Sequence, residues 1–308
     1  MTRIIDAHSH YMPPEVAAHT AFFKEHWSDA PKQLACMDRL GIEQAVLLYP
    51  TSDAHVQMGG WQKVCAVYNL KISELVKKCP GRFVGGGILP ADAPEKFGQE
   101  LKRIQDLGLQ MLSLASSYDG KYLDDPIFDS VFAFAERYQF PVHVHPQIMN
   151  PIGSERLQDP LLSPVLEYVF DVSAAIGRLM MNGVLDKLPK LNFICAQYGG
   201  VLPIVKERFD TTYQMLRRRN FVKDLGKLPG EFFRNLYFDM SGSKSPAVLQ
   251  AALEVTDASH ILWGSDFPAN QDAPGSLETV RQSALSQKEK NGILGDNLRL
   301  LLFEFSRR

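Results

Sequence analysis

Two histidines and an aspartate alternate with other residues in the run RIIDAHSHY near the start of the chain. Side chains two positions apart lie on the same face of a β-strand, so this spacing predicts that Asp6, His8 and His10 point the same way. The run PVHVHP repeats the spacing with His143 and His145. Histidines paired in this manner either bind a metal ion or are hydrogen-bonded core residues, and their place in the fold decides which.

A carboxylate completes the candidate set in the run WGSDFP, where Asp266 follows an apolar segment. A GSD tripeptide alone commonly forms a turn. If the three runs end parallel strands at one edge of a sheet, however, His8, His10, His145 and Asp266 converge on one volume. Imidazole nitrogens with one carboxylate suit zinc, and also manganese, iron or cobalt. We therefore predict a metal ion there, with an open position that activates water or substrate.

Short apolar runs alternate with longer amphipathic segments along the whole chain. The amphipathic segments carry apolar residues at three- and four-residue steps, which predicts helices that cover a sheet. The predicted strands are residues 3–8, 45–49, 82–89, 110–115, 142–145, 191–196, 236–242 and 260–265. Eight such units predict an α/β protein with the fold of a (β/α)8 TIM barrel, in which residues 1–308 form one domain.

An open, doubly wound parallel sheet is the alternative fold. That fold usually carries a glycine-rich phosphate turn after its first strand, and this chain has SHYMP there instead. The glycines of the run RFVGGGIL lie inside a predicted strand, where they indicate close approach of the backbone to its neighbours. The barrel is therefore the preferred prediction, and it places the long loops after the first, fifth and eighth strands around one mouth.

Further residues bear on this mouth. His143 precedes His145 by two residues and so lies one layer deeper, where we expect a core histidine that orients a metal ligand. His55 follows the second predicted strand in the run YPTSDAHVQ, and it is either a catalytic residue or an exposed loop histidine. Asp6, one layer below His8, is expected to accept hydrogen bonds because an isolated buried carboxylate is costly.

Charge and composition argue against some function classes. The 308 residues carry a formal net charge of −2, which gives no broad positive field and argues against a nucleic-acid partner. No apolar stretch of about 18 or more residues suggests a membrane span, and no signal-peptide pattern opens the chain. The four cysteines lack C-x-x-C spacing, as expected in a reducing compartment, so we expect a cytoplasmic protein.

Several runs together resemble a known family. DAHSHYMP, FPVHVHP, LNFICAQYGGVLP and ILWGSDFP are similar to motifs of the amidohydrolase superfamily, and in particular to the amidohydrolase-2 group typified by aminocarboxymuconate-semialdehyde decarboxylase. The resemblance covers essentially the whole chain. It implies a (β/α)8 barrel with one divalent metal, usually zinc, on His8, His10, His145 and Asp266. Members include decarboxylases of small unsaturated or aromatic acids, hydratases and hydrolases, so the resemblance does not fix the reaction.

The chain departs from this family at one position. The sixth-strand motif of the group is typically an apolar run, a histidine and two glycines, and that histidine acts as acid or base toward the metal-bound water. This chain reads ICAQYGG, with Gln197 in that place. A glutamine amide can hydrogen-bond a water or a carboxylate but cannot shuttle a proton near neutral pH. Either the reaction needs no base there, or another residue supplies it, or the protein is catalytically weakened.

The expected function is that of a metal-dependent enzyme, a non-oxidative decarboxylase (a carbon–carbon lyase) acting on a small carboxylic acid. Asp266 would bind the metal and accept a proton, and Gln197 would orient the metal-bound ligand. One alternative is a hydrolase or hydratase of a small ester, lactone, amide or unsaturated acid, with Asp266 as general base. Another is a catalytically impaired barrel that binds a small carboxylate or a partner chain. The resemblance also implies a possible homodimer.

Overall fold

The computed structural model describes residues 3–270 and 273–306. Its strands are β1 (Ile4–His10), β2 (Ile42–Leu48), β3 (Phe83–Gly87), β4 (Met111–Ala115), β5 (Ser117–Tyr118), β6 (Lys121–Tyr122), β7 (Val142–His145), β8 (Phe193–Cys195), β9 (Leu236–Asp239) and β10 (Ile261–Leu262). One sheet has the order β1-β2-β3-β4-β7-β8-β9-β10, and each neighbouring pair in it is parallel. The other pair, β5 and β6, forms a small antiparallel hairpin.

Backbone hydrogen bonds close this sheet between its first and last strands. The Ala7 N–H donates to the Trp263 carbonyl at 2.9 Å, and the Asp266 N–H donates to the His8 carbonyl at 2.8 Å. The architecture is therefore a (β/α)8 TIM barrel, and every strand of the barrel overlaps one of the eight predicted runs. The alternative of an open, doubly wound sheet is wrong because the two edge strands meet.

Helices lie between consecutive barrel strands, as the amphipathic segments predict, and within the described residues three more follow β10. They are α1 (Pro14–Ala17), α2 (Ala30–Leu40), α3 (Ala54–Met58), α4 (Trp61–Lys78), α5 (Phe97–Asp106), α6 (Asp129–Tyr138), α7 (Ser154–Leu157), α8 (Tyr168–Met181), α9 (Val184–Lys187), α10 (Leu202–Arg217), α11 (Pro246–Leu253), α12 (Ala273–Gln282), α13 (Gln287–Asn291) and α14 (Asn297–Ser306). No helix within residues 3–270 and 273–306 has the length and apolar character needed to cross a membrane.

Local chemistry sets the bounds of α2, the first long helix. The Asp29 side chain accepts a hydrogen bond from the Lys32 N–H at 2.8 Å, which satisfies a free donor in the first turn. Gly41 ends the helix with φ of 71°, a left-handed conformation that glycine adopts without steric cost. Between these caps, Gln33 and Met37 lie one turn apart and are buried. This spacing aims one face of α2 at the barrel wall.

The core has two layers, because each barrel strand is buried on both faces. Inside the barrel, Ile5, Ala7, Val46 and Ile194 pack together with Leu298 of α14. A larger apolar layer fills the space between the outer face of the strands and the surrounding helices. Alternate residues of a strand supply the two layers, as the period of two requires.

The consecutive glycines of β3 are required by packing. A Cβ atom on Gly85 would lie 2.5 Å from the Leu109 side chain, and one on Gly87 would lie 2.8 Å from Ile104. Side chains at these positions would displace the helix that covers the strand. The prediction of close backbone approach at this strand is confirmed.

A bulge changes which way the residues of β1 face. Asp6 pairs with Ala45 and Ser9 pairs with Leu47, so two residues of β1 lie opposite one residue of β2. An extra residue of this kind reverses the alternation of side chains. Asp6 therefore lies on the outer face of the barrel, where Ser265 donates to its carboxylate from both N and Oγ. The prediction that the aspartate shares the inward face of the two histidines is wrong, although it does accept the expected hydrogen bonds.

Two further predictions from the sequence concern the state of the cysteines and the extent of the domain. Cys36, Cys65, Cys79 and Cys195 are all free thiols. Their state agrees with the absence of a disulfide framework in the sequence. The extent of the domain, residues 1–308, stays a prediction.

Candidate metal centre

Three of the predicted ligands meet at the carboxyl end of the barrel strands. His8 and His10 come from the end of β1, and His145 ends β7. One ring nitrogen from each lies within 4.8 Å of the others, and Nε2 of His8 is 3.1 Å from Nε2 of His10. All three side chains are buried. The tertiary fold therefore brings together histidines that are more than a hundred residues apart in the chain.

Backbone carbonyls orient two of these rings. Nδ1 of His10 is 3.2 Å from the Leu48 carbonyl, and Nδ1 of His145 is 3.0 Å from the Pro146 carbonyl. Since a carbonyl oxygen only accepts, each Nδ1 carries the proton and donates it there. The lone pair of each Nε2 then remains available to a metal ion.

Asp266 supplies the predicted carboxylate. Its Oδ1 lies 3.2 Å from Nε2 of His10 and 3.6 Å from Nε2 of His8, and its side chain is 15% exposed. The segment that carries Asp266 packs closely against β1 at Gly264. A Cβ atom on Gly264 would lie only 2.7 Å from Cβ of His8. Asp266 has φ of 58°, which turns its side chain at the strand end. It is the most exposed member of the set and borders the mouth.

Two of the measured separations in this donor set suit a shared divalent ion. Two atoms bound to the same ion at about 2.1 Å lie roughly 3.0 to 3.4 Å apart in octahedral or tetrahedral geometry. The separations of 3.1 Å between Nε2 of His8 and Nε2 of His10, and of 3.2 Å between Nε2 of His10 and Asp266, lie in this range. Three imidazoles and one carboxylate suit zinc, manganese or iron.

The sequence reasoning missed Asp239, which lies at the end of β9. Its Oδ2 accepts from Nδ1 of His8 at 2.9 Å and from Nε2 of His143 at 2.8 Å. Its Oδ1 accepts from the backbone N–H groups of Gln197 at 3.1 Å and Ser241 at 3.0 Å. Asp239 thus holds the His8 ring, and the expected role of His143 as a core histidine that supports a ligand agrees with this geometry. The one signal in the sequence was a carboxylate at the end of the apolar run LYFD.

Electrostatics divide the histidines into two kinds. Burial lowers the pKa of His8, but the charge and hydrogen bond of Asp239, followed by Asp266, outweigh burial and raise the pKa to about 9. Burial lowers the pKa of His10 and, further, that of His145. Burial also raises the pKa of Asp239, yet the charge of His8 and the hydrogen bonds it receives hold that pKa well below its ordinary value. The neighbouring carboxylates thus favour the cationic form of His8, whereas burial favours the neutral form of His10 and His145.

Gln197 lies beside this support. It follows β8 with φ of 52°, and its backbone N–H donates to Asp239. Its Oε1 is buried and has no hydrogen-bond partner. Gln197 therefore joins the cluster through its backbone and keeps a free amide acceptor.

His55 lies outside the cluster of ligand atoms. Its ring stacks on Trp61 with centroids 4.4 Å apart, and its Nδ1 is 3.2 Å from the Ser52 carbonyl. Among the described residues, no hydrogen bond or ring contact joins it to the three histidines of the centre. Thr51 is closer to the site, because its Oγ1 lies 3.4 Å from Nδ1 of His145. A catalytic role for His55 stays a prediction.

Comparison with known proteins agrees with this geometry. The model of the amidohydrolase family matches residues 5–302. The chain belongs to the amidohydrolase family. The resemblance seen in the four sequence motifs is thereby confirmed, and the protein is an enzyme of that family. In this amidohydrolase, Gln197 follows β8 by two residues.

Two proteins similar to this amidohydrolase are named as decarboxylases. The 2-amino-3-carboxymuconate-6-semialdehyde decarboxylase of Dictyostelium discoideum is 28% identical over 257 residues, which cover 80% of this chain and 70% of the relative. The crystal structure of 5-carboxyvanillate decarboxylase from Sphingomonas paucimobilis has a TM-score of 0.88 at 22% identity, covering 98% of this chain and 99% of that one.

A third similar protein was crystallised with a metal. It is a dihydroxybenzoic acid decarboxylase from Polaromonas sp. JS666 with bound manganese, with a TM-score of 0.79 at 21% identity. The match covers 100% of this chain and 98% of that one. At this identity the likeness establishes the barrel fold.

Proposed function

We propose that this amidohydrolase is a metal-dependent, non-oxidative decarboxylase of a small aromatic or unsaturated carboxylic acid. One observation carries the proposal: ring nitrogens of His8, His10 and His145 lie within 4.8 Å of one another at the mouth of the barrel, and Oδ1 of Asp266 lies 3.2 Å from Nε2 of His10. The names of the similar proteins support the same class of reaction.

The proposed ligands are His8, His10, His145 and Asp266, and they hold one divalent ion. Zn²⁺ remains the first candidate, with Mn²⁺ or Fe²⁺ as alternatives. When bound, the ion acts as a Lewis acid toward oxygen atoms of the substrate. The supporting shell around Asp239 keeps the ring of His8 in the orientation that this requires.

The proton is the part of the reaction that the protein itself must manage. Decarboxylation breaks the bond between a carbon atom and its carboxylate, releases CO2 and leaves an electron pair on that carbon, which takes up a proton. Asp266 is the carboxyl group at the mouth, and we assign it the transfer of this proton. Gln197 offers its unpaired Oε1 as an acceptor that orients the bound ligand. A glutamine is sufficient there if Asp266 performs the transfer.

An apolar wall beside the metal centre suits a planar acid. The ring of Trp27 lies 5.6 Å from the ring of His10, and Phe23 packs on Trp27 with centroids 4.6 Å apart. The buried Nε1–H of Trp27 has no hydrogen-bond partner. This N–H is a donor for a carboxylate or hydroxyl oxygen of the substrate, since buried donors are normally paired.

The test combines metal analysis with product analysis. The protein is purified without chelator, and CO2 release is measured by mass spectrometry over a panel of hydroxybenzoic and unsaturated acids. We expect about one equivalent of metal per chain and CO2 release from at least one acid. The double variant His8→Ala/His10→Ala should lose both, whereas His19→Ala, which removes an exposed histidine, should keep both.

Three results would contradict the proposal. If the protein holds no metal even after it is soaked in a metal salt, it is not a metalloenzyme. Hydrolysis of an ester or lactone panel without CO2 release would favour a hydrolase. A metal-loaded protein that binds acids but converts none would favour the catalytically impaired barrel. A cytoplasmic location and a homodimer stay predictions beside this proposal.

A further inference from the structure

We propose that a crevice on the outer wall of the barrel is a second binding site, for a small acid that also carries a hydroxyl or amino group. The crevice has a volume of about 470 Å³ and lies between α2 and the segment that follows β10. We call it the α2 crevice; its lining includes Gln33, Lys32, Arg39 and Phe267. The volume lies in the range of roughly 300 to 1,000 Å³ that is typical of small-molecule sites.

The α2 crevice is separate from the metal centre. Asp6 and Ser265 form part of its floor, and the bulge in β1 places them on the outer face of the barrel. The oxygens of Asp6 already accept hydrogen bonds from the N–H of His8 and from Ser265. The floor is thus a satisfied polar surface, and none of the four proposed metal ligands lines the crevice.

A buried acceptor lies deep in the crevice. Gln33 is 2% exposed, and its Nε2 donates to Oγ of Ser9 at 2.9 Å. Oγ of Ser9 donates its own proton to the Val46 carbonyl at 2.6 Å, so it must accept from Gln33. This fixes the orientation of the amide and turns Oε1 away from Ser9. Oε1 is buried and has no hydrogen-bond partner, although buried amide oxygens normally have one.

Cations stand at the rim. Lys32 and Arg39 lie almost two turns apart on α2, and both are exposed. Among the described residues, no ion pair involves Lys32 or Arg39, and an N–H of Arg39 donates to the sulfur of Cys36 at 3.6 Å. His26 lines the same crevice. Two unpaired positive charges beside a concave surface favour an anion there.

The remaining walls are mostly apolar. Their apolar residues include Met37, Leu40, Ile42, Phe267 and Pro268, and Cys36 and Asn270 also line the crevice. A ligand that fits the apolar walls, the cationic rim and the buried acceptor has three features. It has an apolar body, an acidic group that faces Lys32 and Arg39, and a hydrogen-bond donor that reaches Oε1 of Gln33. A hydroxybenzoate is the simplest molecule with these features.

Isothermal titration of the metal-loaded protein with 4-hydroxybenzoate tests the site. Benzoate lacks the donor and phenol lacks the charge, so each should bind about tenfold more weakly or worse. The variant Lys32→Ala/Arg39→Ala should weaken 4-hydroxybenzoate by at least about tenfold. The matched control Lys77→Ala/Lys78→Ala removes two exposed helical lysines elsewhere and should leave binding unchanged.

A further variant distinguishes the crevice from the metal centre. His145→Ala alters a proposed metal ligand on β7. In the sheet, β7 is not a neighbour of β1, whose residue Asp6 lines the crevice, so the crevice should keep its affinity. Gln33→Leu should remove the preference for 4-hydroxybenzoate over benzoate. Binding that is lost in His145→Ala and unchanged in Lys32→Ala/Arg39→Ala would overturn the proposal. So would failure of all three probes to bind at millimolar concentration. Because the readout is binding, the outcome does not depend on which reaction the metal centre performs.

Discussion

The two faces of β1 carry buried polar residues with opposite properties. On the outer face, Asp6 accepts hydrogen bonds from the backbone of β1 and from Ser265, and Ser9 donates to Val46 of β2. On the inner face, His8 and His10 hold Nδ1 in hydrogen bonds and bring their Nε2 atoms within 3.1 Å of each other. Burial and polarity are common to both faces. What separates them is how the polar atoms are arranged. The oxygens of the outer face bond to different neighbours, whereas the ring nitrogens of the inner face converge on one another and on Asp266, and this convergence makes a candidate site.

The largest expected effect comes from removing a histidine on the inner face of β1. His10→Ala removes one proposed ligand, and we expect metal affinity to fall by more than about 100-fold, beyond the range of supporting residues. Competition with a chelator of known affinity measures this. His19→Ala is the control. Unchanged affinity in His10→Ala would show that the convergent nitrogens do not bind the metal.

The next effect tests the residue behind the inner face. Asp239→Asn weakens the acceptor that holds Nδ1 of His8. We expect metal affinity to fall by about 10- to 100-fold, less than for His10→Ala. Asp186→Asn, at an exposed position, should have no effect in the same chelator competition. An equal loss in the two asparagine variants would contradict an orienting role for Asp239.

The outer face should respond in stability and not in metal binding. Asp6→Asn places an amide against donors from His8 and Ser265, and we expect the free energy of unfolding to fall by about 1 to 3 kcal/mol. Urea denaturation measures the loss. The folded variant should still bind about one equivalent of metal. A loss of metal larger than that in Asp239→Asn would mean that the two faces do not act separately.

The smallest effect sharpens the comparison through pH. The pKa of the His8 ring in the metal-free protein is raised from 6.5 to about 9, so the ring is protonated at neutral pH. The protonated ring stabilises the folded protein fully below pH 6.5, and this stabilisation is lost as the pH rises through about 9. Metal binding through Nε2 must displace this proton. Titration at pH 7.5 in buffers of different ionisation enthalpy should show release of about one proton per metal, falling toward zero near pH 10. Release that does not change with pH would assign the metal to other nitrogens.

Much of the fold and part of the site could be predicted because they depend on local patterns. The eight strand runs follow from apolar alternation with amphipathic segments. The candidate ligands His8, His10, His145 and Asp266 follow from polar residues at the carboxyl ends of parallel strands, which meet at one mouth in any closed barrel. The spacing of two on β7 also predicted that His143 lies deeper than His145, as observed.

The sequence by itself therefore determined the barrel, its family and the residues that gather at its mouth. Only the tertiary structure decided that Asp239 orients His8 across 231 residues of chain, that a bulge turns Asp6 outward, and that Gln33 faces a crevice with an unpaired oxygen. These features depend on strand register and on contacts between distant segments. A one-residue change in register moves a side chain to the opposite face, and no local pattern in the run RIIDAHSHY records it.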